Sequence, residues 1–449
     1  MSSRKFLPGK YRLLSTHINN NVNMRRICLT VTGMCIMVLH AFSQATPGDT
    51  GVYKPRALKL DEVEIVSSYY NQTADKSAVS GGQTGPMGNA NVTDLANGLE
   101  IKFVGWDKHR NKNTLTTGIG YDAHTAASQA WVSKTGASKK TGDQIYPSLN
   151  WAHENALKGA GYEFGAYYST EYNYKSFGLD AGITQKTRDR NGEFSAKLTT
   201  YFDEVKLIYP SEFVKGLITN NTDSTIYIVG FNGNTEAIPP GGTSRRDKKD
   251  VPSSPRNTYS AALSYSQVFN PRLQGSVELD LVEQTGYLGL PFHRVYFSNG
   301  QDTIEKLPSQ RFKLPIGFRM NYFLGDNVIL KAYYRFYIDD WGLRSHTASL
   351  EVPIKITPFF SVSPFYRYYV QSAVNYFAPF EKHLTTDTYY TSNYALSAFT
   401  ANLFGAGIRL APPKGILDKH FNTLELRYAH YTETTDLVSN VISLDLKFR

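Results

Sequence analysis

The stretch Val328–Ser372, VILKAYYRFYIDDWGLRSHTASLEVPIKITPFFSVSPFYRYYVQS, constrains the fold more than any other. It runs through one unit three times, an alternating segment of about ten residues and then a tight polar or Pro-containing turn. Val328, Leu330, Ala332, Tyr334, Phe336 and Ile338 fall on one face of the first segment, and Lys331, Tyr333, Arg335 and Tyr337 on the other, because strand side chains alternate with period two. After Asp339-Asp340-Trp341-Gly342 the division recurs, with Ala348, Leu350, Val352, Ile354 and Ile356 against Thr347, Ser349, Glu351, Lys355 and Thr357. In the third segment Val362, Tyr366, Tyr368 and Val370 oppose Ser361, Ser363, Arg367, Tyr369 and Gln371. Soluble sandwiches alternate too, but aromatic residues crowded at strand ends are what an interfacial girdle requires.

The same rhythm extends along the chain. Strands are expected at Leu58–Tyr70, Leu99–Trp106, Thr114–Ala123, Ile145–Ala152, Ala160–Tyr172, Tyr174–Thr187 and Glu193–Tyr209. After a polar tract, Pro210–Pro255, with a small hairpin expected in Thr225–Phe231, they resume at Arg256–Val268, Arg272–Thr285 and Pro308–Phe323. Beyond the opening triplet come Ala395–Leu410, Phe421–Tyr431 and Leu437–Phe448. The expected fold is all-β: a single transmembrane antiparallel β-barrel of about 16 strands. Short turns after Trp106, Ala152, Thr187, Val268, Phe323, Ile356 and Leu410 fall on one side and most long tracts on the other, which matches periplasmic turns and extracellular loops.

Composition agrees. Tyr 31 and Phe 25 against Trp 4 and Met 6 describe a Tyr-rich strand-and-turn chain, and no stretch approaches the ~20 apolar residues of a membrane helix. The +9 charge is concentrated in residues 1–45, which hold Arg4, Lys5, Lys10, Arg12, Arg25 and Arg26 and no acid, so the remainder has 42 basic and 39 acidic residues, a net of +3. Binding to nucleic acid thereby loses its support. Residues 1–45 read as a signal peptide with its true start at Met24: Met24-Arg25-Arg26 is the positive start, Ile27–Leu39 the apolar core and Ser43-Gln44-Ala45 the small-residue cleavage site. Residues 46–57 then form a short periplasmic lead and 58–449 the barrel. Both cysteines, Cys28 and Cys35, lie in the leader, so the mature chain has no thiol chemistry and no Cys-ligated zinc.

Several segments are similar to a known family: SYYNQTADKSAV (Ser68–Val79), YSTEYNYKSFG (Tyr168–Gly178), YFDEVKLIYP (Tyr201–Pro210), the block Asp339–Phe380, YYTSNYALSAF (Tyr389–Phe399) and HYTETTDLVSNVIS (His430–Ser443). They resemble the uncharacterised family called domain of unknown function number 3570, over nearly all of the mature chain. The resemblance implies an exported outer-membrane barrel of a Gram-negative bacterium, and brings no activity, catalytic residue or cofactor. The closing segment Val441–Arg449 alternates to Phe448 and so resembles the terminal signal read by the barrel assembly machinery, although Arg449 follows the aromatic residue.

Chemistry-bearing motifs are sparse. His153-Glu154 lacks the second His of a zinc motif, and neither a GxSxG elbow nor a P-loop is present, so no metal, cofactor or enzymatic activity is expected. Asp339, Asp340 and His346 at a rim turn could activate a water; the alternative is an Asp-stabilised turn with Trp341 in the interfacial belt. The basic run Arg245–Lys249 reads as solvated loop or as a site for acidic polysaccharide. The inward parity carries more. Arg311, Lys313, Arg319, Lys331, Arg335, Lys355, Arg367, Arg409, Arg427 and Lys447 accompany only Glu278, Asp280, Glu351, Glu425 and Asp445 in the second half. In the first half Glu62, Glu64, Glu100, Asp122, Glu163, Asp180 and Asp203 accompany Lys102, Lys186 and Lys197. Closure would set an acidic wall against a basic one. The expected function is passage or binding of a small polar solute in a porin-like lumen, embedded among outer-membrane lipids and lipopolysaccharide. A non-conducting barrel that docks a partner through its loops is the alternative, and a rim hydrolase the third reading. N-terminal sequencing of mature protein is expected to begin at Gln44 or Thr46; a start before Ile27 would exclude cleavage.

Overall fold

The computed structural model describes residues 55–83, 90–125, 141–171, 173–207, 226–229, 235–238, 252–416 and 421–449. The leader and the Arg245–Lys249 run lie outside them. The strands are β1 (Arg56–Thr73), β2 (Val92–Trp106), β3 (Lys112–Thr125), β4 (Thr141–Asn155), β5 (Ala160–Glu171), β6 (Tyr174–Lys186) and β7 (Gly192–Lys206), then a small pair, β8 (Ile226–Val229) and β9 (Thr235–Ile238). They continue as β10 (Ser253–Asn270), β11 (Leu273–Gly286), β12 (Arg294–Tyr296), β13 (Asp302–Ile304), β14 (Gln310–Leu324), β15 (Val328–Asp339), β16 (Arg344–Glu351) and β17 (Ile354–Thr357). Last come β18 (Phe360–Gln371), β19 (Phe399–Leu410), β20 (Thr423–Glu433) and β21 (Val438–Phe448).

Seventeen of these segments form one antiparallel sheet, and β1 pairs with β21 from Val63↔Phe448 to Thr73↔Val438, which closes the ring. Both β16 and β17 lie between β15 and β18. They are one strand broken at Val352-Pro353, so the barrel has sixteen strands. The break has a local cause, since Pro353 has no N–H for the ladder; its carbonyl still accepts from Ile329 N–H at 3.0 Å.

Alternation decides which side chains face out. On β6, Phe177, Leu179 and Ile183 are exposed, while Tyr174, Ser176 and Asp180, on the other parity, are buried inward. Phe318, Met320, Tyr334, Leu350, Tyr366 and Tyr368 continue the exposed apolar wall across β14–β18. Such a surface is a liability in water and the requirement in a bilayer. Among the described residues no helix is long and apolar enough to cross a membrane, and the crossing is made by strands. Inward positions are packed closely: Gly120 lies under the Tyr146 ring, where an added Cβ would meet ring carbons at 1.9 Å.

Departures from the sequence expectation cluster at the strand ends. β2 begins at Val92, inside the tract expected to be loop up to Asn97, because the ladder with β1 continues from Val66↔Gly98 to Gln72↔Val92. Backbone beyond the hydrocarbon needs pairing but no apolar face, so alternation fades before the strand ends. β1 likewise starts at Arg56, opposite Trp106, two residues before the expected Leu58. Closed barrels resist detergent until heated, so unboiled protein is expected to migrate differently from boiled protein on a denaturing gel. Identical migration would contradict closure.

Candidate functional site

The described residues present two regions with chemistry, the inner wall and a folded cap on its outer mouth. The register places every charged residue expected in the lumen on the inner face, and shows what each meets. Along the first arc, Lys197 pairs with Glu163 at 3.0 Å and with Asp180, Arg256 with Asp203 at 3.4 Å, and Lys447 with Glu62 at 3.7 Å and Glu64 at 2.5 Å. Asp122 accepts the Tyr146 hydroxyl at 2.8 Å, and His124 lies 3.3 Å from Glu171; among the described residues Glu100, Lys102 and Asp122 have no partner at salt-bridge distance.

Along the second arc, Arg311 binds Asp339, Arg319 binds Glu278 at 2.6 Å, and Glu351 takes Lys331 at 3.3 Å and Arg427 at 2.9 Å, with Arg427 also on Glu425. These pairs join neighbouring or nearby strands and run along the wall rather than across the lumen. Among the described residues Arg335, Lys355, Arg367 and Arg409 have no carboxylate at salt-bridge distance and are exposed. Most first-arc carboxylates are therefore neutralised in place, whereas several second-arc cations stay available.

Asp339, Asp340 and His346 are not brought together. Asp339 points inward, holds Arg311 and accepts the Leu343 N–H at 3.0 Å. His346 lies on the outer face between Phe336 and Tyr334, with Nδ1 2.7 Å from the Tyr334 hydroxyl. Asp340 is exposed at the turn. Trp341 is 3 % exposed and so is not at the lipid interface, as the turn reading had it. Its indole N–H donates to Gln310 O at 2.8 Å, and the Arg311 guanidinium covers its ring at 4.4 Å. Gly342 has φ +88, and a Cβ there would strike the Asn375 amide at 2.5 Å, so the turn needs glycine.

A tyrosine collar below the outer rim was missed in the sequence. The hydroxyls of Tyr70, Tyr337, Tyr369 and Tyr431 each donate to the side chain two residues on, Gln72, Asp339, Gln371 and Glu433, at 2.5 to 2.8 Å. The signal was present as Tyr-x-Gln, Tyr-x-Asp or Tyr-x-Glu at strand ends. Positions i and i+2 share a face in a strand, so each pair had to meet.

Among the described residues, the cap is built from 74–83 with 90–91, from 287–309 and from 372–398. β12 and β13 form a hairpin whose residue Phe297 bridges His383, while Lys306 bridges Tyr390. Glu305, 6 % exposed, fixes the two connections together: it accepts the Thr391 hydroxyl at 2.5 Å and the Leu290 N–H at 2.9 Å, and lies 3.6 Å from His293. Burial alone would raise the Glu305 carboxyl, but His293 and those donors outweigh it and hold it below the usual carboxylate range. The guanidinium of Arg294 donates to Val79 O at 2.5 Å, and Tyr296 packs on Gly81. The connections that meet there leave the barrel between β11 and β14 and between β1 and β2, eight strands apart in either direction. The cap therefore spans the mouth along a diameter.

The family model described as Protein of unknown function (DUF3570) matches residues 123–439. No curated protein matches the chain in sequence. Among solved structures the chain is similar to a bacterial polysaccharide outer membrane secretin, with TM-score 0.41, 10% identity, 86% of this chain and 97% of that one covered. It is also similar to a BenF-like porin from Pseudomonas fluorescens Pf-5, with TM-score 0.41, 7% identity and coverage of 86% and 97%. A mutant of the TodX monoaromatic hydrocarbon channel gives TM-score 0.40, 9% identity and coverage of 86% and 89%.

The Glu305 contacts generate a pH prediction. Its folded-state pKa is depressed, so the carboxylate stabilises the cap fully above the ordinary value of about 4.3 and loses that contribution as pH falls through the folded value. Glu305→Gln is expected to increase proteolytic nicking of 287–309 and 372–398 at neutral pH, at a cost of roughly 1–3 kcal/mol to the cap, with the barrel still heat-modifiable. Wild-type cap should become equally cleavable only at acid pH, assayed with an acid-active protease. Equal cleavage of both proteins at neutral pH would refute the latch.

Proposed function

We propose, for a chain that belongs to the family described as Protein of unknown function (DUF3570), a porin-like outer-membrane barrel that gives passage to a small polar solute. The observation that carries this reading is the inner face of a closed sixteen-strand ring, lined with charged residues whose ion pairs lie along the wall. Charges that only filled the lumen would pair across it. Arg335, Lys355, Arg367 and Arg409 instead remain exposed on the wall, where they attract counter-ions.

The apolar exterior supports an outer-membrane location, and fits acyl chains of lipid and lipopolysaccharide. A shallow outer groove over Ala332 and Ala348, flanked by Phe318, Met320, Leu350 and Tyr368, belongs to that lipid boundary. The terminal strand ending at Phe448 is the segment offered to the assembly machinery, and Phe448 packs on Phe421 at 4.5 Å between centroids. The rim reading loses its geometry, since Asp339 points inward and His346 outward, and among the described residues no cluster suits a metal ion.

A second reading, docking of a surface partner, is favoured by the folded cap, on which Leu384 and Tyr389 are exposed. Recording from purified protein in planar bilayers separates the two. Passage predicts unitary conductance steps with a reversal potential shifted toward the anion under a salt gradient. A protein that inserts, proves heat-modifiable and gives no steps would sink passage and leave docking.

A further inference from the structure

The wall between β15 and β18 combines free cations with a small-residue floor. Arg335 is opposite Thr347, which is opposite Tyr369; one row below, Tyr333 is opposite Ser349, which is opposite Arg367. The two arginines thus occupy one diagonal of a six-residue patch and the two tyrosines the other, with Thr347 and Ser349 between. The strands at its edges are two steps apart and the rows two residues apart, so the corners lie roughly 10 Å by 7 Å from each other in backbone position.

The corners differ in freedom. Tyr369 is held by its hydroxyl on Gln371 at 2.6 Å and by Phe399 at 5.6 Å. Tyr333 is covered by the Arg319 guanidinium at 4.4 Å, itself clamped by Glu278. Arg335 and Arg367 have no such clamp among the described residues. Asp280 is within electrostatic reach of Arg335 without pairing with it, and Tyr431, whose hydroxyl is committed to Glu433, is within reach of Arg367.

Because the Tyr369 hydroxyl already donates elsewhere, that corner offers a fixed ring edge or face rather than a donor. The charged donors available are the two guanidinium forks, which match a carboxylate. The floor has no bulky side chain, so a flat body can lie against it.

We propose that this patch is a binding site in the lumen for a small organic carboxylate with a flat apolar body, gripped by Arg335 and Arg367 and laid on Thr347 and Ser349 between Tyr333 and Tyr369. The site rests on the passage reading in that solute must reach the lumen, and it narrows the solute to an anion.

Equilibrium binding to folded, detergent-solubilised protein tests it without requiring conduction. Benzoate is the probe, benzamide its uncharged counterpart and acetate the carboxylate without a flat body, each titrated by calorimetry. Wild type is expected to bind benzoate at least tenfold more tightly than benzamide or acetate. The double substitution Arg335→Gln with Arg367→Gln removes no ion pair, should stay heat-modifiable, and is expected to weaken benzoate at least tenfold. Arg272→Gln, at an exposed arginine in the turn between β10 and β11, should leave affinity unchanged. No benzoate binding by wild type, equal binding of benzamide, or full affinity in the double variant would overturn the site, and equal binding of acetate would overturn its flat-body specificity. Conduction without benzoate binding would leave passage standing, whereas binding without conduction would leave the site and remove passage.

Discussion

Pairing of backbone groups around a closed ring is the constraint on which the rest depends. In hydrocarbon an unpaired N–H or C=O costs several kcal/mol, and only a sheet with no edge satisfies both sides of every strand. The eleven aligned pairs between β1 and β21 close that account. Where Pro353 cannot donate, the wall bends its pairing into two segments rather than opening, since β16 and β17 keep both neighbours.

Closure inverts the usual distribution of polarity. Phe164, Ile183 and Leu198 are more than half exposed because lipid, not protein, covers them, while Asp180 and Asp203 are buried on the inside. A dry protein core survives chiefly outside the membrane, in the cap, where Trp341, Leu343 and Val374 cluster with Leu288, Leu307 and Tyr376. The cap is consequently stabilised by ordinary packing and by specific polar contacts such as those of Glu305. It can respond to proton activity independently of a barrel whose strands are bound to each other all round.

The same geometry governs the charges. Neighbouring strands hold inward side chains within reach of one another, whereas the opposite wall lies many ångströms away across water, so ion pairs form locally. Lys197, bridging Glu163 and Asp180, and Arg427, bridging Glu351 and Glu425, illustrate the rule. A parity count that opposes an acidic half to a basic half therefore overstates the field a solute meets. What remains after local pairing, among the described residues, is a set of exposed cations on one arc, Arg335, Lys355, Arg367 and Arg409.

Period-two alternation determined the barrel from the sequence alone, because a strand's side chains must fall on alternate faces whatever the surroundings. Parity likewise assigned Arg335, Arg367, Asp180 and Asp203 inward, and the even strand number set the first and last ends of the barrel on one side. It did not reveal how far β2 extends past the membrane, since paired backbone in water needs no apolar face. Parity, applied across the turn, also separates Asp339, which shares the face of Arg335 and Tyr337, from His346, which shares that of Ala348 and Leu350, a separation that the rim reading sets aside. Only the tertiary structure decided which charges neutralise one another and that 287–309 meets 74–83 across the mouth. Those outcomes depend on register between strands and on contacts between residues such as Arg294 and Val79, and local sequence carries no term for distances closed by the ring.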